Sequence, residues 1–201
     1  MADIVYKYKD NIYFNITNKC PCRCVFCIRD KKMAIGEAKK LFHDREPTKE
    51  EIKKAIDSFD FGDAQSAVFC GYGEPTSAFD NLIYAAQYLK KLYPEKKLRL
   101  NTNGLSDLIN KKPTATQICK VFDSVSISLN APTSEEYDKI TRNIYPGKAY
   151  GAMLDFAKDC IKGGIEVRLS VVDVIGEEKV RKSRDIAQSI EADFVLREYK
   201  E

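Results

Sequence analysis

Strand-like and helix-like segments alternate along almost the whole chain, and this alternation constrains the fold more than any other feature of the sequence. Short apolar segments predict strands, and the segments between them carry the i, i+3, i+4 spacing of amphipathic helices. Strands are predicted at 12–17, 66–70, 98–102, 125–129, 165–173 and 193–197. Such repetition is typical of parallel strands joined by right-handed crossovers, so residues 1–201 are interpreted as a single α/β domain.

Local signals refine this outline. Thr48 and Thr133 are each followed three residues later by a glutamate, the capping-box pattern that begins a helix. The helix after Thr133 is expected to break near Pro146 and Gly147, and residues 4–8 are expected to add an antiparallel strand. Residues 28–46 form the one long connection, and connections of that length are often functional, so we predict a lid or docking element there.

Polar and apolar residues alternate within the predicted strands. Ser126, Ser128 and Asn130 alternate with apolar residues in the fourth strand, and similar alternation occurs in the first, third and fifth. Since strand side chains alternate between faces, one face of the sheet is apolar and the other polar. A flat sheet covered by helices on both sides would bury those polar groups at about 1–3 kcal/mol each. We therefore predict a partial (β/α)6 TIM-like barrel of six parallel strands with outer helices.

Composition excludes several classes of function. The net charge of +3 is too small to indicate nucleic-acid or membrane binding by itself. There is no apolar run of the roughly 18 residues that a membrane helix needs and no secretory signal pattern at the start, so a cytoplasmic protein without membrane contact is expected. His43 is the only histidine, which excludes histidine-based catalytic triads and multi-histidine metal sites. It is interpreted as exposed and incidental.

Four of the seven cysteines fall within eight residues: Cys20, Cys22, Cys24 and Cys27. In a reducing compartment such a group indicates metal binding rather than disulfides. Cys20, Cys24 and Cys27 have the spacing C-x3-C-x2-C, and three thiolates would leave one iron of a cubane without a protein ligand. A structural zinc site is the alternative, but zinc prefers four ligands, usually in two separated pairs. Cys22 is interpreted as a bystander.

Further polar and glycine-rich segments follow other strands. Residues 71–75 follow the second strand, residues 101–104 end the third, and Asn130 ends the fourth. In β/α barrels the carboxyl ends of the strands form the active-site face, so these segments and the cysteines are expected to meet at one rim. Cys70 directly precedes the glycine-rich turn, whereas Cys119 and Cys160 are expected to be small apolar residues on helix faces.

The cysteine motif resembles that of the radical SAM superfamily. This resemblance implies a [4Fe–4S] cluster on Cys20, Cys24 and Cys27 and S-adenosylmethionine on the remaining iron. It also implies that Phe26 lies near the adenine and that the turn at 71–75 receives the methionine amino group. The residues that the resemblance assigns to S-adenosylmethionine binding are Phe26, Gly71, Tyr72, Gly73, Glu74, Asn101, Thr102, Asn103, Ser128, Asn130, Ser170 and Val172.

A narrower resemblance covers nearly the whole chain. The segments 15–21, 68–76, 100–104, 125–132 and 170–176 are similar to those of the TatD-associated radical SAM proteins. The resemblance implies reductive cleavage of S-adenosylmethionine to a 5′-deoxyadenosyl radical, with electrons from a low-potential donor, ferredoxin or flavodoxin. It supplies no substrate.

Substrate and partner expectations follow from the predicted shape. Nothing in the sequence closes the lateral gap of a six-stranded barrel, so a peptide, protein or nucleic-acid substrate, or a partner subunit, is expected to close it. A small nucleotide-like substrate is the competing enzymatic hypothesis. The non-enzymatic alternative is an iron–sulfur sensor or scaffold, which would bind the cluster without cleaving the cofactor.

Overall fold

The computed structural model describes residues 2–30 and 34–199. Strands and helices alternate along it after an initial pair of strands. The strands are β1 Val5–Tyr8, β2 Asn11–Phe14, β3 Ser66–Phe69, β4 Lys97–Thr102, β5 Ser124–Ser128, β6 Glu166–Val172 and β7 Asp193–Arg197. The α-helices are α1 Lys49–Asp57, α2 Phe79–Leu92, α3 Ser106–Asn110, α4 Ala115–Cys119, α5 Ser134–Thr141, α6 Ala149–Lys162 and α7 Glu177–Ser189.

All seven strands form one sheet in the order β1-β2-β3-β4-β5-β6-β7. β1 pairs antiparallel with β2, and each later pair is parallel. The sheet thus has seven strands rather than six, because residues 5–8 turn back at Lys9 and add the antiparallel strand to the six parallel ones. In the described part of the chain β1 and β7 do not pair with each other, so the sheet is open at that seam.

The helices pack on one face of the sheet. Strands added in sequence order by right-handed crossovers leave all crossover helices on the same side. The apolar strand residues Phe14, Phe69, Leu100 and Ile127 share a buried core with helix residues such as Leu82. The opposite face is here called the polar face, and its register rows include Asn101, Ser126 and Arg168. The predicted alternation of apolar and polar strand residues is therefore confirmed.

Helix ends follow the sequence signals. The Thr48 side chain accepts a hydrogen bond from Glu51 N, and the Glu51 side chain accepts one from Thr48 N, which completes the predicted capping box. The helical segment after Thr133 is divided into α5 and α6, with the predicted break between residues 141 and 149. None of the described helices combines the length and apolar character needed to cross a bilayer.

The long connection after the cysteines folds back onto the β1 edge of the sheet. Glu37 N donates to Lys7 O at 3.0 Å, and Asp3 N donates to Lys40 O at 2.8 Å, so the connection runs along the outer edge of β1. Leu41 is fully buried and belongs to the same small apolar cluster as Tyr6. Residues 31–33 lie outside the described residues, and the role of 28–46 as a lid stays a prediction.

His43 is buried, so its interpretation as an exposed, incidental residue is wrong. Its Nε2 lies 2.9 Å from Asn15 O and 3.0 Å from Asn15 Nδ2, and Asn18 hydrogen-bonds both its backbone N and its carbonyl oxygen. The error has a physical reason: the connection returns to the end of β2, a contact between residues 28 positions apart that no local pattern reveals.

Candidate active site

The cysteine loop leaves β2 at the carboxyl end of the parallel strands and is held from the far side by α5. Arg23 N donates to Thr141 O at 2.8 Å, and Val25 N donates to Ile140 O at 3.0 Å. Ile144 N in turn donates to Pro21 O at 3.1 Å. These backbone bonds fix the loop between Pro21 and Val25, the part that separates Cys20 from Cys27.

The thiols of Cys20 and Cys24 lie on either side of Cys22. Hydrogen bonds from Cys22 lower the pKa of both outer thiols and, with burial, raise the pKa of Cys22 itself far above its ordinary range. Burial raises the pKa of Cys27. The cation of Arg29 favours the thiolate at all three predicted ligands, because a nearby positive charge stabilises the anion that binds iron.

The donor set fits a cluster better than a single ion. Among the described residues, no group of three or more His, Cys, Asp or Glu side chains is arranged to hold one metal ion. A cubane makes a different demand, because its three thiolates bind three different irons instead of one point. Three reduced cysteines on one loop beside an arginine satisfy that demand in residue type and charge.

The glycine-rich turn after β3 packs directly against the chain that leads into the cysteine loop. A Cβ on Gly71 would collide with the Asn15 side chain, and one on Gly73 would collide with the carbonyl oxygens of Thr17 and Lys19. Glu74 N donates to Lys19 O at 2.8 Å. Both glycines thus permit a close approach of two backbone segments. Their contact with the cofactor stays a prediction.

Glu74 is buried and joins the turn to the end of β4. Its Oε1 accepts hydrogen bonds from Thr76 N, Thr76 Oγ1 and Thr102 Oγ1, and its Oε2 accepts one from Asn103 N at 2.7 Å. Burial raises the pKa of this carboxyl, and the four donors counteract that shift. Both oxygens are therefore engaged by the protein, and Thr102 is directed to Glu74.

Two buried side-chain oxygens at the strand ends have no protein partner. Asn101 Oδ1 and Asn130 Oδ1 are both inaccessible to solvent and accept no hydrogen bond within the described structure. Asn130 has a φ of 59°, a left-handed conformation that asparagine tolerates better than most residues. Unsatisfied buried polar atoms are costly, so these two fit a polar ligand such as the predicted cofactor.

The remaining predicted residues lie around the same edge. Asn103 Nδ2 is 3.6 Å from Cys22 Sγ, which joins the end of β4 to the cysteine loop. Ser128 and Ser170 are register partners on the polar face, and Val172 lies two residues further along β6. Phe26 is part of the cysteine loop and is partly buried. Tyr72 is almost fully buried.

The sequence did not indicate three further residues of this site. Arg29 lies next to the predicted cluster ligands. Asn15 Oδ1 accepts a hydrogen bond from Tyr72 N at 3.3 Å beneath the glycine turn, and Arg197 Nη2 donates one to Ser128 Oγ at 3.2 Å from the far edge of the sheet. Two sequence signals pointed towards them: a positive charge two residues after Cys27, and the alternation of side chains between the two faces of each strand. Neither identifies a partner that is distant in sequence.

The sequence and the fold are both similar to those of known proteins. A family model described as the Radical SAM superfamily matches residues 14–188. Streptococcus suis SuiB bound to S-adenosylmethionine has a TM-score of 0.65 and 22% identity, over 94% of this chain and 38% of SuiB. The structure of SuiB bound to precursor peptide SuiA has a TM-score of 0.67 and 20% identity, over 98% of this chain and 40% of SuiB.

A radical SAM methyltransferase from Sphaerobacter thermophilus has a TM-score of 0.61 and 13% identity, over 96% of this chain and 68% of the methyltransferase. These likenesses concern the fold, and this chain spans about two fifths of the length of SuiB. No curated protein matches the sequence significantly.

Proposed function

This chain belongs to the radical SAM superfamily, and from that membership we propose that it is an enzyme that cleaves S-adenosylmethionine reductively in order to abstract hydrogen from a substrate. The family brings with it a [4Fe–4S] cluster and S-adenosylmethionine as cofactors. We assign the cluster to Cys20, Cys24 and Cys27, and we take residues 1–201 as one core domain.

The observation that carries the proposal is the meeting of three features at one sheet edge. The cysteine loop, the turn at Gly71 to Glu74 and the end of β4 are tied together by hydrogen bonds from Glu74 N to Lys19 O and from Asn103 N to Glu74 Oε2. The unsatisfied oxygens of Asn101 and Asn130 belong to the same strand ends. A polar ligand that bridges these strand ends would satisfy both.

Each part of the chain has a distinct task in this proposal. When bound, the cluster and S-adenosylmethionine supply reductive cleavage of the S–C5′ bond and hydrogen abstraction at a substrate carbon. Arg29 stabilises the thiolates, and Cys22 stays a bystander. Glu74 orients the ends of β3 and β4, since both of its oxygens accept protein hydrogen bonds. The amides of Asn101 and Asn130 orient the cofactor, and Ser128, Ser170 and Val172 line its outer side.

The proposal extends to the substrate and the partners. A peptide or protein is favoured because the similar SuiB structure contains a precursor peptide. A nucleic acid or small nucleotide-like molecule is the alternative. Ferredoxin or flavodoxin would donate the electron. The narrower TatD-associated family, a lid at 28–46 and a cytoplasmic location are proposed with it, the last because seven unpaired cysteines suit a reducing compartment.

The test is anaerobic reconstitution with iron and sulfide, followed by incubation with dithionite and S-adenosylmethionine. We expect the cubane absorbance and formation of 5′-deoxyadenosine. Cys24→Ala should lose both, because only two ligands remain. The matched control is Cys119→Ala: this cysteine lies on α4, away from the site, and the variant should retain both properties.

Two results would contradict the proposal. Full cluster loading without any 5′-deoxyadenosine would favour an iron–sulfur sensor or scaffold. Tetrahedral zinc at the cysteines in anaerobically purified protein would exclude the proposed chemistry altogether.

A further inference from the structure

The polar face of the sheet carries arginines from three different strands: Arg99 on β4, Arg168 on β6 and Arg197 on β7. Register places them on one face, because Arg168 pairs with Ser126, Ser126 pairs with Asn101, and Arg99 lies two residues before Asn101. Arg197 pairs with Val172, two residues beyond Ser170.

Two of these arginines, Arg99 and Arg197, lie near Cys70, which follows β3. Burial raises the pKa of the Cys70 thiol, and the charges of both Arg197 and Arg99 act to lower it, so both guanidinium groups lie near that thiol. Asn101 hydrogen-bonds the same thiol. Arg99 also hydrogen-bonds Tyr13 on β2. Arg99 and Arg168 are partly buried, with Arg99 Nε fully buried, whereas Arg197 is exposed.

The three cations lack acidic partners. In the described part of the chain none of them forms an ion pair within 4.0 Å, although eleven ion pairs occur elsewhere. Arg99 Nε is buried without an acceptor, and Arg197 donates a hydrogen bond to the neutral Ser128 hydroxyl. Asp193, the register neighbour of Arg168, is exposed at the start of β7 and does not pair with it.

The proposed cofactor does not remove this excess of positive charge. S-adenosylmethionine brings one carboxylate and one sulfonium cation, so it adds no net negative charge when its amino group binds iron. The thiolates of the cluster act on Arg29 and Arg197 at the rim. Glu74, the one buried carboxyl of the site, is surrounded by hydroxyl and amide donors. A partly buried cation without a counterion is unfavourable, and arginine is the side chain best suited to bidentate binding of carboxylate or phosphate.

We propose that the substrate carries an anionic group, a carboxylate or a phosphate, that binds to Arg99 and Arg168 on the polar face. This inference rests on the proposed function, because it names the class of molecule that the same site receives. Arg197, at the rim, would guide such a group past the cofactor. The hydrogen to be abstracted then lies on a carbon between the anionic group and the rim.

The test measures binding of two probes, pyrophosphate and glutarate, to the reconstituted protein with S-adenosylmethionine by titration calorimetry. We expect at least one probe to bind, and Arg99→Gln and Arg168→Gln each to weaken it about 10- to 100-fold, the usual effect of losing a charge-assisted hydrogen-bond pair. The control Arg181→Gln removes an exposed arginine of α7 and should change binding less than about twofold. Tighter pyrophosphate binding would indicate a phosphate, and tighter glutarate binding a carboxylate.

Arg168 is only partly buried and donates no side-chain hydrogen bond to another described residue, so Arg168→Gln should fold even if Arg99→Gln does not. Absence of binding for both probes, or equal binding by the Arg168→Gln and Arg181→Gln variants, would overturn the inference. Formation of 5′-deoxyadenosine is measured on the same samples. If it forms while neither probe binds, only the anionic substrate is excluded; if probes bind through the arginines but none forms, the anion site stands and the proposed reaction fails.

Discussion

Replacing Gly73 by alanine should weaken the junction between the glycine-rich turn and the cysteine loop. The added Cβ would overlap the Thr17 carbonyl oxygen and lie 2.8 Å from Lys19 O, and neither atom belongs to a flexible side chain. The turn must therefore move, which costs about 1–3 kcal/mol for overpacking. It also stretches the bond from Glu74 N to Lys19 O, worth about 0.5–1.5 kcal/mol.

Together these terms predict a loss of about 1.5–4.5 kcal/mol, a large part of the roughly 5–15 kcal/mol that stabilises a domain. Gly151→Ala is the control, because a Cβ there meets nothing within 4 Å and the residue lies inside α6. It should stabilise the protein by about 0.5–1 kcal/mol. Urea unfolding of the apoprotein, followed by far-UV circular dichroism, measures both. A Gly73→Ala variant as stable as the wild type would refute the steric reasoning.

Three further outcomes are expected. Asn15→Ala removes the donor to Leu41 O and should lower the free energy of unfolding, measured in urea, by about 2–5 kcal/mol. Gln87→Ala, which removes an exposed amide of α2, is the control and should change that free energy by less than about 0.5 kcal/mol. Although burial opposes it, hydrogen bonds from Lys90 and the backbone hold the pKa of Asp123 below its usual 3.8. The ionised Asp123 stabilises the fold above that value, and this contribution is lost as the pH falls through the lower pKa of the folded protein. The Asp123→Asn variant lacks the contribution, so between pH 7 and pH 3 it should lose less stability than the wild type. Identical losses in the two proteins would contradict this. Cys22→Ala should keep the cluster absorbance, and its loss would make Cys22 a ligand.

Local patterns predicted most of the fold. Thr48 and Glu51 lie three residues apart and form the capping box that the sequence indicated. The alternation of Ser126 with Ile127 predicted which strand face meets the helices. Such features depend on residues within one turn or one strand, and their physics is visible in a short window of sequence.

Contacts between distant residues were not predictable in the same way. The buried position of His43 depends on Asn15, 28 residues away. The hydrogen bond from Asn103 N to Glu74 joins residues 29 positions apart, and the contact of Asn103 with Cys22 joins residues 81 positions apart. The sequence indicated that these residues lie near one edge, but the partner of each polar atom depends on how the turns pack once the sheet has formed.

The bonds between α5 and the cysteine loop bear on the order of events during synthesis. Each parallel strand pairs with strands next to it in sequence, so the sheet can grow from the first strand as the chain leaves the ribosome. The cysteines emerge early, but the backbone of Arg23 and Val25 finds its partners only when Ile140 and Thr141 have emerged. We therefore expect iron delivery to a nascent chain to be productive only after residues 140 and 141 have left the ribosome.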